Sequence, residues 1–184
     1  KIIKLLDMFE STFKNKKVLI TGHSGFKGSW LSIWLNYLGA NVFGLSDTVV
    51  SEPSNYAASQ IPDFVNDLKV DIRNSDRVKS LINEIQPDFI FHLAAKALVN
   101  HSYENPIDTF TSNVIGTINI LNALRNIDKK IITVMITSDK VYDNVEWQWG
   151  YRENDKLGGK DPYSASKGMA ELAISSYVNS FHNS

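Results

Sequence analysis

Lys17-Val18-Leu19-Ile20-Thr21-Gly22-His23-Ser24-Gly25-Phe26-Lys27-Gly28 is the stretch whose reading decides the fold. Lys17 to Thr21 is a short, largely β-branched apolar run that reads as a strand, and glycine follows it directly. Beyond the glycines a helix is expected from about Lys27 to Leu38, with Trp30, Leu31, Trp34, Leu35 and Leu38 on one face and Gly39 at its end. Glycines at 22, 25 and 28 permit a tight turn and let backbone approach a pyrophosphate, which then meets the unpaired N–H groups of the helix N-terminus. Ser24, Phe26 and Lys27 lie between them, so the spacing is G-x-x-G-x-x-G rather than G-x-G-x-x-G. The position between strand and helix, not the glycines alone, gives the motif its weight.

Outward from this turn the same alternation repeats. Asn41 to Leu45 reads as a second strand, Asp67 to Val70 as a third and Asp88 to His92 as a fourth. A helix is expected over Ser75 to Ile85, stopped by Pro87, and a long one from about Pro106 to Asn126. In the latter, Ile107, Phe110, Val114, Ile118, Leu121 and Leu124 recur at helical spacing. Lys130 to Thr137 is the most apolar strand, and a last helix runs from Pro162 to about Phe181, with proline suited to its first turn. Strands alternating with such helices imply an α/β, doubly wound parallel sheet covered on both faces, a Rossmann-like domain. The expected organisation is an N-terminal extension over 1–15 and a dinucleotide-binding domain over 16–184, with the substrate-binding domain absent. The loosest stretches, Ser46 to Pro62 and Asp143 to Lys160, are long enough to suggest a functional role.

Composition narrows the classes. Lys and Arg number 19 against 20 Asp and Glu, a net charge of -1, so nothing points to nucleic acid. The chain has 0 cysteines, which excludes disulfides, thiolate zinc sites and cysteine nucleophiles; no metal is expected. No apolar run approaches the roughly 18 residues of a membrane span. The opening KIIKLLDMFE is interrupted by Lys4, Asp7 and Glu10 and lacks a cleavage site, so no leader is expected and a cytoplasmic location suits the chain.

The candidate cofactor contacts follow the strands. Asp47 lies 25 residues beyond Gly22, where an acidic side chain binds ribose hydroxyls, and no arginine stands there to attract a 2′-phosphate. NAD is therefore favoured over NADP. Asp71 and Ile72 could hold the adenine, and Leu93, Ala94 and Ala95 are small enough to leave a dinucleotide room beside the sheet. Tyr163 and Lys167 stand four apart, on one face of a helix, where an ammonium favours the phenolate. Such a tyrosine can take a proton from a sugar hydroxyl while hydride leaves the same carbon. Ser138 ends the last strand at the sheet's carboxyl edge, and Asp139 and Lys140 add an acid and an amine suited to eliminating water.

Together TGHSGFKG, DI at 71, HLAA, NVIGT at 113, TSDKVY and YSASK resemble the extended short-chain dehydrogenase/reductase family. More narrowly, FHLAAKALV, TSDKVYDN, EWQWGYRENDKLGG and DPYSASKGMAEL are similar to its CDP-glucose 4,6-dehydratase branch, with Lys140 the most specific feature. The resemblance implies that Tyr163 is the base for the sugar C4 hydroxyl and that Lys167 lowers its pKa and holds the nicotinamide ribose. Ser138 would bond the C4 oxygen, Asp139 and Lys140 would serve loss of water across C5 and C6, and Asn113 would brace the sheet. CDP-glucose is the implied substrate, NAD the cofactor and a homodimer the assembly. Turnover is not expected from the 184 residues alone. Ser24 departs from the usual threonine and Lys96 from the usual glutamine, the latter adding a charge near the expected site. Other nucleotide-sugar epimerases or dehydratases, and a non-catalytic NAD-binding regulatory domain, are the competing readings.

Overall fold

Val18, Leu19 and Ile20 are fully buried at the centre of a five-stranded sheet of order β3-β2-β1-β4-β5, all of whose pairings are parallel. The computed structural model describes residue 9, residues 11–49 and residues 51–182. The strands are β1 (Lys17–Thr21), β2 (Asn41–Ser46), β3 (Asn66–Lys69), β4 (Phe89–His92) and β5 (Ile132–Met135). The helices are α1 (Phe26–Tyr37), α2 (Asn55–Ala58), α3 (Ser75–Ile85), α4 (Val99–Glu104), α5 (Pro106–Phe110), α6 (Gly116–Leu124) and α7 (Pro162–Tyr177). The order runs outward from β1 to β3 and then restarts at β4 on β1's other side. The crevice above β1 and β4 is therefore the switch point where open α/β sheets bind ligands.

Period-2 alternation along the strands separates two cores. Leu19, Leu45 and Ile90 face α3 and α6, packing with Val78, Leu81, Ile82, Ile85 and Ile120. Val18, Ile20 and Val42 face the other way, towards Leu35 of α1 and Ile61. Phe13 packs there too, its ring 5.0 Å from that of Phe89, so the packed body begins before residue 16. Residues 1–8 and 10 of the expected extension lie outside the described residues.

Several elements differ from expectation for physical reasons. In α1 the sheet-facing residues are Gly28, Ser29, Ser32 and Leu35, while Trp30, Trp34 and Tyr37 are exposed. Small side chains bring the helix close to the turn, and the buried hydroxyls of Ser29 and Ser32 donate to carbonyls of Gly25 and Gly28. The long helix expected from Pro106 is α5 and α6 joined by a π-turn at Thr111–Ile115, whose flanking residues keep helical dihedrals. That turn points Ser112, Asn113 and Val114 inward together, which a regular helix of period 3.6 would not do. β5 is shorter than its apolar run: Ile132 and Val134 are exposed on one face of an edge strand, and Met135 packs into the core on the other. Residues 46–62 hold α2 and a 3-10 turn at Ile61–Asp63, and α4 falls in a stretch the sequence left unassigned. Among the described residues no helix is long and apolar enough to cross a membrane. Nor, among them, does any group of three or more His, Cys, Asp or Glu suit a metal ion.

Candidate active site

The three glycines of the turn do three different jobs. Gly22 has φ +75°, and a Cβ there would lie 2.7 Å from the backbone nitrogen of Ala94. Its bareness admits the Leu93-Ala94 backbone at the end of β4, not a phosphate as expected. A Cβ on Gly28 would collide with the carbonyl of Gly22 and sit 2.7 Å from the Cα of His23, so this glycine seats the helix on the turn. Gly25 is the least crowded of the three, its nearest such neighbour being the Gly22 oxygen at 3.3 Å. It is the N-cap of α1 and offers no side-chain acceptor, so the first-turn amides point to the crevice without a cap. Phe26 and Lys27, exposed in that first turn, flank the opening. A pyrophosphate fits this cradle by charge and by space.

Under the turn lies a network that sequence reasoning missed. His23 is 1% exposed, and its ring occupies the room left by Gly44. Its Nε2 bonds Asp67 Oδ1 at 2.9 Å and its Nδ1 bonds Ser46 Oγ at 3.1 Å, while the Tyr56 hydroxyl donates to the other Asp67 oxygen. Burial lowers the His23 pKa against the opposing pull of Asp67. Ser46 Oγ in turn accepts the Ser24 N–H, and the Ser24 hydroxyl donates to the Thr48 carbonyl at 2.6 Å. The turn is thereby tied to the loop that carries Asp47, which is exposed beside the crevice as a ribose acceptor must be. A histidine between two glycines was the available signal, but its partner lies 44 residues away.

Of the adenine candidates, Asp71 gives both oxygens to Arg73, whose bonds hold its carboxyl below the usual range. Ile72 is buried, its side chain filling the space of the missing Cβ at Gly116. Ala94 and Ala95 are half-buried at the crevice wall. The charge that Lys96 was expected to add near the site is paired: its ammonium is 3.5 Å from Asp108, which also bonds Arg73 and His101. Its backbone is clamped by Asn113, which accepts the Lys96 N–H at 2.8 Å and donates to Ser166 Oγ at 2.8 Å. Asn113 thus braces the β4 loop against α7 rather than the sheet itself.

The reactive candidates converge on the carboxyl end of β5. Ser138 caps a 3-10 turn at Asp139–Val141 through the Lys140 N–H, and its hydroxyl donates to Asp139 Oδ1 at 3.1 Å. Asp139 and Lys140 are exposed there. Asp161 caps α7 by accepting the Ser164 N–H at 3.0 Å, and Pro162 takes the first helical position. This start buries Tyr163 and Lys167 on the inner face. Lys167 Nζ donates to the carbonyl of Ile136 at 3.3 Å, two residues before Ser138. Burial pushes the Lys167 pKa down to about 8, opposed by the charge of Glu171. His92, bonded on one side to Thr21 and on the other to Thr117, is pushed down to about 3 by burial and then by the Lys167 ammonium. It is a neutral strut between β1 and the helix layer, not a proton carrier.

Fold and site together define a Rossmann-type dinucleotide-binding domain of the short-chain dehydrogenase/reductase class. Residues 19–183 match the family described as GDP-mannose 4,6 dehydratase, and the chain belongs to that family. It is 46% identical over 177 residues to the CDP-glucose 4,6-dehydratase of Salmonella typhimurium, covering 96% of this chain and 49% of the relative. The structure of a Thermus thermophilus UDP-glucose 4-epimerase in complex with NAD superposes with TM-score 0.77 at 30% identity, over 90% of this chain and 52% of that one. Epimerase Mth375 from Methanothermobacter thermautotrophicus superposes with TM-score 0.81 at 27% identity, over 97% and 52%. The chain spans about half the length of the relatives it matches.

Proposed function

We infer that the chain binds NAD and contributes the reactive residues of a 4,6-dehydratase acting on CDP-glucose. The observation that carries this reading is the meeting of the Ser138-Asp139-Lys140 turn with Tyr163 and Lys167 at one sheet edge, beside an uncapped helix N-terminus. Dehydration needs, besides the residues that serve C4 oxidation, an acid and a base for the loss of water, and an epimerase needs only the first set; Asp139 and Lys140 are suited to be the second. The 46% identity to a CDP-glucose 4,6-dehydratase supports the same choice of substrate.

The uncapped first-turn amides of Phe26 and Lys27 would hold the pyrophosphate, Asp47 would accept from a ribose, and Ala94 and Ala95 leave room along the sheet. Bound there, NAD would supply the acceptor for the C4 hydride and the donor that returns it to C6, so the overall reaction would have no net redox change. Tyr163 takes the proton of the C4 hydroxyl, and Ser138 hydrogen-bonds the C4 oxygen. The Lys167 ammonium, one turn along α7, would bond the nicotinamide ribose and favour negative charge on the Tyr163 oxygen as the proton is taken. With C4 a ketone, the C5 proton is acidic; Asp139 and Lys140 remove it and protonate the departing C6 hydroxyl, Asp139 acting on the hydroxyl. Burial of Tyr163 and Lys167 excludes water from the phenolate.

The test has two parts. Calorimetry on this chain should show NAD binding in preference to NADP; equal or tighter NADP binding refutes the ribose assignment. In the complete gene product, Tyr163→Phe should nearly abolish formation of the 4-keto-6-deoxy product while leaving NAD bound. A homodimer forms through the exposed apolar residues that α5, the π-turn and α7 keep after packing, among them Ile107, Ile115, Met169 and Leu172.

A further inference from the structure

Glu171 has no part in the chemistry just described, yet it stands one helical turn beyond Lys167, as Lys167 stands one turn beyond Tyr163. Its carboxylate is half-buried and accepts the hydroxyl of Thr137 at 2.5 Å. Thr137 lies between Ile136, whose carbonyl takes the Lys167 ammonium, and Ser138, which opens the reactive turn. Two side chains of α7, one cationic and one anionic, therefore grip consecutive residues at the end of β5. Each grip removes a sliding freedom of the helix along the strand, and together they fix where α7, with Tyr163 in its first turn, sits on the end of β5.

We propose that Glu171 is a positioning residue of the site: through Thr137 it locks α7 to the end of β5, and its carboxylate, one turn beyond Lys167, is the counter-charge of that buried side chain. The inference rests on the reading of Lys167 given above but concerns a residue that reading does not use. The groups around the Lys167 ammonium decide its charge. From β4 comes His92, which is neutral and buried; from β5 comes only the Ile136 carbonyl; and from its own helix come Tyr163 and Glu171. Asp139 and Lys140 of the 3-10 turn are exposed at the strand end. Among the described residues Glu171 is the charge that favours the ammonium, against a burial that disfavours it. Without that charge the same burial lowers the ammonium's pKa further.

The experiment is a titration of Lys167 in the chain labelled with 13C at lysine Cε, its resonance assigned by its loss in Lys167→Met. Glu171→Gln retains an acceptor for Thr137 and removes only the charge. Its Lys167 midpoint should fall by roughly 0.5–1 unit, the order expected for a half-buried charge one turn away. The pH above which NAD affinity declines should move down with it. An unmoved midpoint overturns the proposal, as does an NAD affinity lowered by the same factor at every pH, which is the mark of a merely structural role. Should Glu171→Gln not fold, Glu171→Asp, whose shorter carboxylate draws back from Thr137 and Lys167, must lower the midpoint in the same direction, and an unmoved one again decides against it. If the unaltered chain bound no NAD, the proposed function would fail, yet the Lys167 midpoint would still judge Glu171.

Discussion

Lys167 is held in the fold at a cost that can be measured. Its pKa falls from 10.5 to about 8 because burial disfavours the ammonium, and it is only 7% exposed, so solvent does little to soften the penalty. At about 1.4 kcal/mol per unit, the charged side chain destabilises the folded state at neutral pH by on the order of 3 kcal/mol relative to a neutral one. Lys167→Met removes that penalty and loses the hydrogen bond to the Ile136 carbonyl, worth about 1 kcal/mol. The variant should therefore be more stable at pH 7 by about 2 kcal/mol, or roughly 4–8 °C in Tm for a domain of this size. The sign has a pH signature. Below about pH 8 the lysine is protonated in both folded and unfolded chains, and the penalty is whole. Between about 8 and 10.5 the folded chain releases its proton first, the unfolded chain binds more protons, and stability of the unaltered protein rises with pH. Urea unfolding at pH 7 and pH 10 measures both curves, and the advantage of Lys167→Met should shrink towards the higher value. A variant of equal or lower stability at pH 7, or an advantage that grows with pH, refutes the reasoning. The same substitution should weaken NAD binding, the trade between stability and function expected of a buried functional charge.

Three further outcomes follow from the geometry, and one from the exposed apolar faces. Gly22→Ala forces a side chain into positive φ and onto the Ala94 backbone, so thermal unfolding should show a loss of more than about 2 kcal/mol. Gly25→Ala should leave stability within about 1 kcal/mol and weaken NAD binding in calorimetry, because only its open side faces the cradle; the reverse ranking contradicts the division of labour assigned to the glycines. Lys140→Ala in the complete gene product should spare C4 oxidation more than water loss, so absorbance of reduced cofactor should accumulate in a single turnover; a normal rate of product formation would remove Lys140 from the elimination. Sedimentation at micromolar concentration should show a dimer, and Leu172→Glu, placing a charge on an exposed apolar position of α7, should shift it to monomer.

What the sequence determined by itself was whatever depends on local chemistry. The strands are short and mostly apolar, the glycine turn has a strand before it and a helix after it, and Pro162 suits the start of a helix; the parallel order and the switch-point crevice follow. Tyr163 and Lys167 were legible because helical spacing is a property of neighbours. The tertiary structure alone decided what depends on partners distant in the chain. Gly22 is glycine because Ala94 lies against it, and His23 is buried because Gly44 and Asp67, on two other strands, make room and a partner for it. The aromatic residues of α1 read as its inner face, but the sheet lies so near that only glycine, serine and leucine fit between. Asn113 turns inward through a π-turn no periodicity reveals, and the charge of Lys96 is paired with Asp108. Glu171 carries no signal in the sequence; the hydroxyl of Thr137, 34 residues earlier, ties it to the strand end beside the site.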